Sequence, residues 1–202
     1  MGLRNLLLSF FDQSEPRRYP HVCEALDLYS CPNGITLEIG CGGKQYRPYV
    51  KGSHIGLDLR NDRYAGSGPE MISDARTLPL VSQSVDVVFM VATLYLIENW
   101  EWVIVEAHRV LRPGGRLLIF DYKARVALRL AAPNHLTPQM LQRAVERTGL
   151  LFKHHTQFLP LHPIGPLRYA PVRRLVAPLC SLIDNWLVVS GQKLVPNNQK
   201  YV

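Results

Sequence analysis

Two kinds of residue in this chain are spaced as a nucleotide-type site requires: glycines behind an apolar run, and single acids at intervals after them. Glu38-Ile39-Gly40-Cys41-Gly42-Gly43 closes the run that begins at Ile35, and glycines there let backbone approach a ligand with no Cβ in the way. Asp58 stands near the end of the next apolar run, His54 to Leu59, 20 residues after Glu38, the interval of one strand–crossover–strand step. A carboxylate suits a vicinal diol because its two oxygens accept two donors at once. Asp74 falls in a third segment, Ser73-Asp74-Ala75-Arg76-Thr77-Leu78-Pro79-Leu80. A nicotinamide-dinucleotide fingerprint needs a third glycine two places after Gly43, where Gln45 stands, so that chemistry fits poorly.

Strands and helices must carry these residues. Apolar runs bounded by turn signals recur at Ile35 to Cys41, His54 to Leu59, Met71 to Ile72, Val85 to Ala92 and Arg116 to Phe120. They are near-continuous in β-branched and aliphatic residues, the pattern of a parallel sheet covered on both faces. From Asn99 to Leu111 the period is helical, with Asn99 as cap, Val103, Ile104, Ala107, Val110 and Leu111 apolar, and Pro113-Gly114-Gly115 as the stop. Thr137 as N-cap, Pro138 at the first position, Met140, Leu141, Ala144 and Val145 on one face, and Gly149 at the end predict a second helix. Leu150 to Phe158 and Trp186 to Lys193 read as strands, and Val172 to Ile183 between them suits a helix. The expected fold is α/β: a doubly wound, mostly parallel seven-stranded sheet with an antiparallel C-terminal strand, binding ligands at the carboxyl ends of its strands.

A chain of 202 residues, 47% hydrophobic and 19% charged, has the composition of one ordinary globular domain. That domain is expected over residues 1–195, with N-terminal lid or helices in 1–30 and a flexible tail at 196–202. The longest apolar stretch, Val85 to Leu96, is interrupted by Asp86 and Thr93 and is shorter than the roughly 20 residues of a membrane span. The apolar start, Met1 to Phe11, is brief and runs into Asp12 and Glu15 without a small-residue cleavage site. Cys23, Cys31, Cys41 and Cys180 are scattered with no paired spacing, so neither a zinc site nor a disulfide framework is expected, and a reducing, cytoplasmic location is. The net charge is +7, and Arg112 to Arg174 alone holds eleven Lys or Arg against Asp121 and Glu146, leaving +9. Such a half attracts anionic partners or serves as a solvated surface.

Leu37 to Gly43 resembles motif I of the class I S-adenosylmethionine-dependent methyltransferases, particularly the group often labelled type 11. His54 to Leu59 resembles the family's second strand, and the resemblance gives Asp58 the ribose hydroxyls of the cofactor. Ser73 to Leu80 resembles the segment whose aspartate, here Asp74, binds the adenine amino group. Ser84 to Phe89 and Glu106 to Gly115 resemble the fourth strand and the helix-turn that closes the core; there Asp86 and the Pro-Gly-Gly turn are architectural. The ordered matches run from Ile35 to Phe120, under half of the chain. What they imply is S-adenosyl-L-methionine as cofactor, with Glu38, Gly40, Cys41, Gly42, Asp58, Leu59, Asp74, Ala75 and Met90 around it, and no metal.

The acceptor side is less marked. Where many family members carry a histidine, this chain has Met90 to Ile97 with no histidine or acid before Glu98, and no general base can be named. The Asn/Asp-Pro-Pro-aromatic sequence that would point to amino-methylation of DNA is missing at that strand end. Lys44 to Tyr49 replaces the usual long first helix and resembles methyltransferases of glycan and surface-polymer pathways. Acceptor contacts are expected from Tyr46, Arg47, Thr93, Tyr95 and Tyr169, with Tyr122 and His135 as further candidates. Residues 160–184, basic and apolar together, form an acceptor-side insertion, a membrane-touching helix or an edge cover. The expected activity is methyl transfer, at oxygen, to a small-molecule, sugar-linked or lipid-linked acceptor, anionic partners included. RNA or protein methylation, and cofactor binding without turnover, are the alternatives; nucleic acid is disfavoured because 202 residues leave no appended recognition domain.

Overall fold

The computed structural model describes residues 20–60, 68–122, 132–154 and 186–195. Their order is α1 (Pro20–Tyr29), β1 (Ile35–Ile39), β2 (Ser53–Asp58), β3 (Met71–Ile72), β4 (Val85–Val91), α2 (Glu101–Val110), β5 (Leu111–Tyr122), α3 (Pro138–Arg147), β6 (Leu150–His154) and β7 (Trp186–Lys193). Short 3-10 turns lie at Arg47–Tyr49 and Leu94–Leu96. The expected strands at residues 155–158, the helix at 172–183, the 160–184 insertion, the tail and most of the N-terminal segment lie outside the described residues.

The seven strands form one sheet in the order β3-β2-β1-β4-β5-β7-β6. β1 runs parallel to β2 and β4, β4 parallel to β5, and β7 antiparallel to β5 and β6. The chain leaves β1 towards one edge and β4 towards the other, so their carboxyl ends part between them and open a crevice, the topological switch point of a doubly wound sheet. The predicted α/β architecture and its antiparallel C-terminal strand are what the chain adopts.

Alternation along the strands feeds two cores. Leu37, Ile39, Val88 and Met90 face one layer, packed with Ile104, Ala107 and Val110 of α2 and with Leu141 and Val145 of α3. Val87, Phe89 and Val91 face the other, where Val22 and Leu26 of α1 meet Tyr46 and Phe120. No α-helix joins β1 to β2; the Arg47–Tyr49 turn and the fully buried Tyr46 ring fill that place.

Two ends differ from the sequence expectation. Asn99 does not cap α2 with its side chain: it takes a left-handed φ of 54°, its carbonyl accepts from Trp102 N, and buried Trp100 precedes the helix. Leu111 belongs to β5, where it pairs with Val85; β5 then advances to Arg116 while β4 advances only to Val87. Pro113-Gly114-Gly115 is the bulge between those two pairings, and a Cβ on Gly115 would lie 2.8 Å from Arg112 O. α3 is capped as expected, Thr137 Oγ1 accepting from Met140 N at 3.2 Å, but Met140 points outward, 41% exposed. No helix among the described residues is long and apolar enough to cross a membrane.

Candidate functional site

The chain turns sharply beyond β1, with Gly40 at φ +72° and Gly42 at φ +50°. A Cβ on Gly40 would fall 2.4 Å from Thr93 Oγ1, so glycine is required by both backbone and space. Gly40 N and Cys41 N both donate to Leu57 O, at 2.8 and 3.1 Å. Gly42 N donates to Asp58 Oδ2 at 2.9 Å. The turn is thereby strapped across the end of β2, and the bare Gly56 leaves room for the Cys41 sulfur and the Lys44 stem above it. Burial, with acidic neighbours adding to it, pushes the Cys41 thiol up to about 12, so it stays neutral and serves as packing.

Two carboxylates follow at the same end of the sheet. Asp58 Oδ1 accepts from Leu59 N at 2.8 Å and Arg60 N at 3.4 Å, so Asp58 caps its own segment while holding the glycine turn. Asp74 is gripped by Arg76, whose Nε and terminal nitrogen reach its oxygens at 3.0 and 2.6 Å; these bonds hold the Asp74 carboxyl below the usual carboxylate range. The segment is braced from α2: Glu106 Oε2 accepts from Leu78 N at 2.8 Å, and Arg109 donates to Leu78 O and Leu80 O at 2.9 and 2.7 Å.

The opposite wall begins where β4 ends. Ala92 sits at φ 49°, and Thr93 then leads into the Leu94–Leu96 turn. The Thr93 hydroxyl donates to Val91 O at 3.0 Å instead of capping that turn. The cap comes from β5: the fully buried Asp121 Oδ2 accepts from Thr93 N at 3.2 Å and Leu94 N at 2.7 Å. Asn134 Nδ2 donates to Leu94 O and Ile97 O from the other side.

Between these walls, over the carboxyl ends of β1, β2 and β4, lies a cavity of about 1100 Å³. It is slightly larger than the roughly 300–1,000 Å³ of small-molecule sites. Gly40 to Gly43, Asp58 and Asp74 line one side, and Ala92, Thr93, Tyr95, Leu96, Ile97 and Pro133 the other.

A family model described as "Methyltransferase domain" matches residues 37–119, the stretch that holds both walls. That stretch is similar to a methyltransferase domain. It is 34% identical over 103 residues to the fatty-acid O-methyltransferase of Mycolicibacterium smegmatis, an alignment covering 45% of this chain and 38% of that protein. It is 36% identical over 92 residues to ribosomal RNA-processing protein 8 of Arabidopsis thaliana, covering 45% and 30%. The chain thus spans under two fifths of the length of these relatives. In fold it superposes on an S-adenosylmethionine-dependent methyltransferase of Mesorhizobium loti with a TM-score of 0.65 at 18% identity, covering 88% of this chain and 98% of that one.

S-adenosylmethionine is the cofactor of this class of domain, and the residues present fit it. Gly43 lines the cavity and a Cβ built on it meets nothing within 4 Å, so backbone alone bounds the space there. Asp58 and Asp74 stand on the same wall with acceptor oxygens. Of the sequence-predicted set, Gly40, Cys41, Gly42, Asp58, Leu59, Asp74, Ala75, Thr93 and Tyr95 line the cavity.

Four residues do not. Met90 is fully buried because its place in β4 turns it into the α2 layer. Tyr46 is fully buried edge-on to Phe89, ring centroids 6.1 Å apart, and Arg47 donates to Val50 O and Gly52 O instead of reaching the cavity. Glu38 points into the α1 layer, where its Oε2 lies 2.9 Å from His54 Nε2 with both side chains out of solvent. Burial, with Asp58 adding to it, pushes Glu38 well above the usual carboxylate range, and burial, then the Arg47 charge, pulls His54 down to about 4. Burial thus disfavours charge on both partners, favouring the protonated carboxyl and the uncharged imidazole. Tyr169 and the Tyr122 side chain lie outside the described residues, and His135 is exposed and off the lining.

Sequence reading missed Gln45, Arg76, Leu96, Ile97, Glu98 and Pro133, all on the lining, and Asp121 behind it. Arg76 carried a usable signal, since a basic residue two places after an acid in a turn folds back on it. Asp121 carried none, because its partners are 27 and 28 residues away.

Proposed function

We propose that this methyltransferase moves the sulfonium methyl of S-adenosylmethionine to an oxygen of a small, largely apolar, lipid- or sugar-linked acceptor. The observation that carries the reading is the division of one cavity. Its glycine-and-acid wall suits a polar cofactor, and its other wall, Ala92, Leu96, Ile97 and Pro133, suits an apolar body, with Thr93 and Tyr95 as the polar points between. In this reading Asp58 accepts from the ribose hydroxyls, Asp74 accepts from the adenine amino group, and the Gly40–Gly43 backbone borders the amino-acid end. Bound there, the cofactor supplies an electrophilic methyl group. The protein's task is alignment, and holding an acceptor in line removes much of the entropic barrier. Leu96, Ile97 and Pro133 would exclude water, and Thr93 and Tyr95 orient the accepting oxygen. The name of the Mycolicibacterium relative, a fatty-acid O-methyltransferase, supports the acceptor class.

The Arabidopsis relative is an RNA-processing protein, which with the basic C-terminal half favours RNA as the second reading. Tritiated-methyl S-adenosylmethionine separates the two, supplied with fatty acids, isoprenoid alcohols and lipid-linked sugars in one arm and with RNA in the other. Organic-extractable label in the first arm supports the proposal; label confined to RNA replaces the acceptor, and binding without label in either arm removes catalysis.

A further inference from the structure

Arg76 is tied to both walls of the cavity. Its backbone N–H and its Nε donate to Asp74 Oδ1 at 2.8 and 3.0 Å, and its terminal nitrogen donates to Asp74 Oδ2 at 2.6 Å. The other terminal nitrogen turns away and donates to the carbonyl of Glu98, on the acceptor wall, at 3.3 Å. Asp74, Arg76 and Glu98 all line the cavity, and the Asp74 and Arg76 side chains keep 35% and 39% of their surface exposed. An aspartate that exposed would turn among rotamers and lose directional accuracy. The planar guanidinium prevents this: it matches both carboxylate oxygens at once, which a point charge does not, and Glu98 O fixes its plane from behind. Asp74 Oδ1 accepts from both Arg76 N and Nε, and Oδ2 from the terminal nitrogen with Nε also at 3.1 Å; with two acceptor sites per carboxylate oxygen and one Nε hydrogen shared between the two, the capacity left for a ligand is on Oδ2.

We propose that Arg76 is a positioning residue that sets base specificity: clamped between Asp74 and the Glu98 carbonyl, it aims the free edge of the Asp74 carboxylate at the 6-position of the cofactor's purine. There a carboxylate accepts from an amino group and repels a carbonyl oxygen. The inference rests on the reading of Asp74 as the purine contact.

Calorimetry with S-adenosylhomocysteine and its 6-oxo counterpart, S-inosylhomocysteine, tests this on the full chain, with the ratio of the two affinities as readout. The parent should favour the amino compound by about 10- to 100-fold, the weight of a charge-assisted hydrogen bond. Arg76→Met should cut that ratio at least fivefold through weaker binding of the amino compound, and Arg76→Lys should restore it only in part. The lysine variant also keeps the test alive if the methionine variant does not fold. Asp74→Asn, whose amide can donate to a carbonyl, should erase or invert the ratio. If Asp74→Asn loses the preference while both Arg76 variants keep it, the purine contact stands and the role of Arg76 is overturned. If Asp74→Asn keeps the parent ratio, the purine contact itself is wrong and the inference goes with it.

Discussion

Asp58 caps Leu59 and Arg60 and also accepts from Gly42 N. Asp58→Ala should therefore weaken S-adenosylhomocysteine binding by about 10- to 100-fold, as loss of a charge-assisted bond would, and calorimetry reads it directly. Asp121→Ala strips the buried amides of Thr93 and Leu94 of their acceptor. At about 1–3 kcal/mol per unsatisfied buried group, the melting temperature should drop by several degrees in a thermal scan. The Glu38–His54 pair has a pH signature whose sign follows from its shifts. His54, lowered to about 4, adds stability above the ordinary imidazole range and loses it as pH falls towards 4. Glu38, raised, does the opposite: its contribution is fully present below the ordinary carboxylate range and is lost as pH rises towards its folded value. Melting of the parent should fall relative to Glu38→Gln as pH rises above the ordinary carboxylate range; parallel curves would overturn the raised Glu38 value.

At the level of elements, α2 ends without glycine, and its last carbonyls go to partners distant in sequence: Arg109 O and Val110 O accept from Gln83 N and Ser84 N, and His108 O from a lysine. Lys193 Nζ, on β7, donates to His108 O and Leu111 O at 2.8 Å each, a cation at the negative end of the helix. Lys193→Met keeps the stem and removes the donors, and should cost about 1–2 kcal/mol, visible as a lower denaturant midpoint with an unchanged slope. Such long-range caps explain what sequence reading could and could not reach. Strand positions were legible because a two-face-covered sheet needs continuous apolar runs, and Thr137-Pro138 was legible because capping is local. Asn99 misled because its residue type suits a cap and a left-handed turn equally. Met90 and Tyr46 misled because proximity to a motif does not say which sheet face a side chain takes.

For the molecule as a whole, the same logic made the glycine-and-acid wall of the cavity legible and left the apolar wall obscure. The glycine turn and its acids are a short-range pattern; the apolar wall is assembled from β4, the turn after it, Pro133 and a carboxylate on β5. A ligand that binds only the folded cavity stabilises the domain by mass action, about 2.7 kcal/mol at 100 times its dissociation constant. For a chain of 202 residues, at roughly 2–4 °C per kcal/mol, S-adenosylhomocysteine at that excess should raise the melting temperature by about 5–11 °C. A shift under 2 °C at saturation would contradict the donor site.

A Cβ on Gly40 would fall 2.4 Å from Thr93 Oγ1 and 2.6 Å from its Cγ2, so the whole Thr93 side chain occupies the room a side chain would need in the donor turn. The two walls are consequently not independent modules for an engineer. A bulkier residue at 93, chosen to reshape acceptor selectivity, would press on the glycine turn and tax methyl-donor affinity, whereas a smaller one would still leave position 40 held to glycine by its φ of +72°. Libraries aimed at new acceptors should keep Gly40 with the rest of the donor turn and hold 93 to residues no larger than threonine.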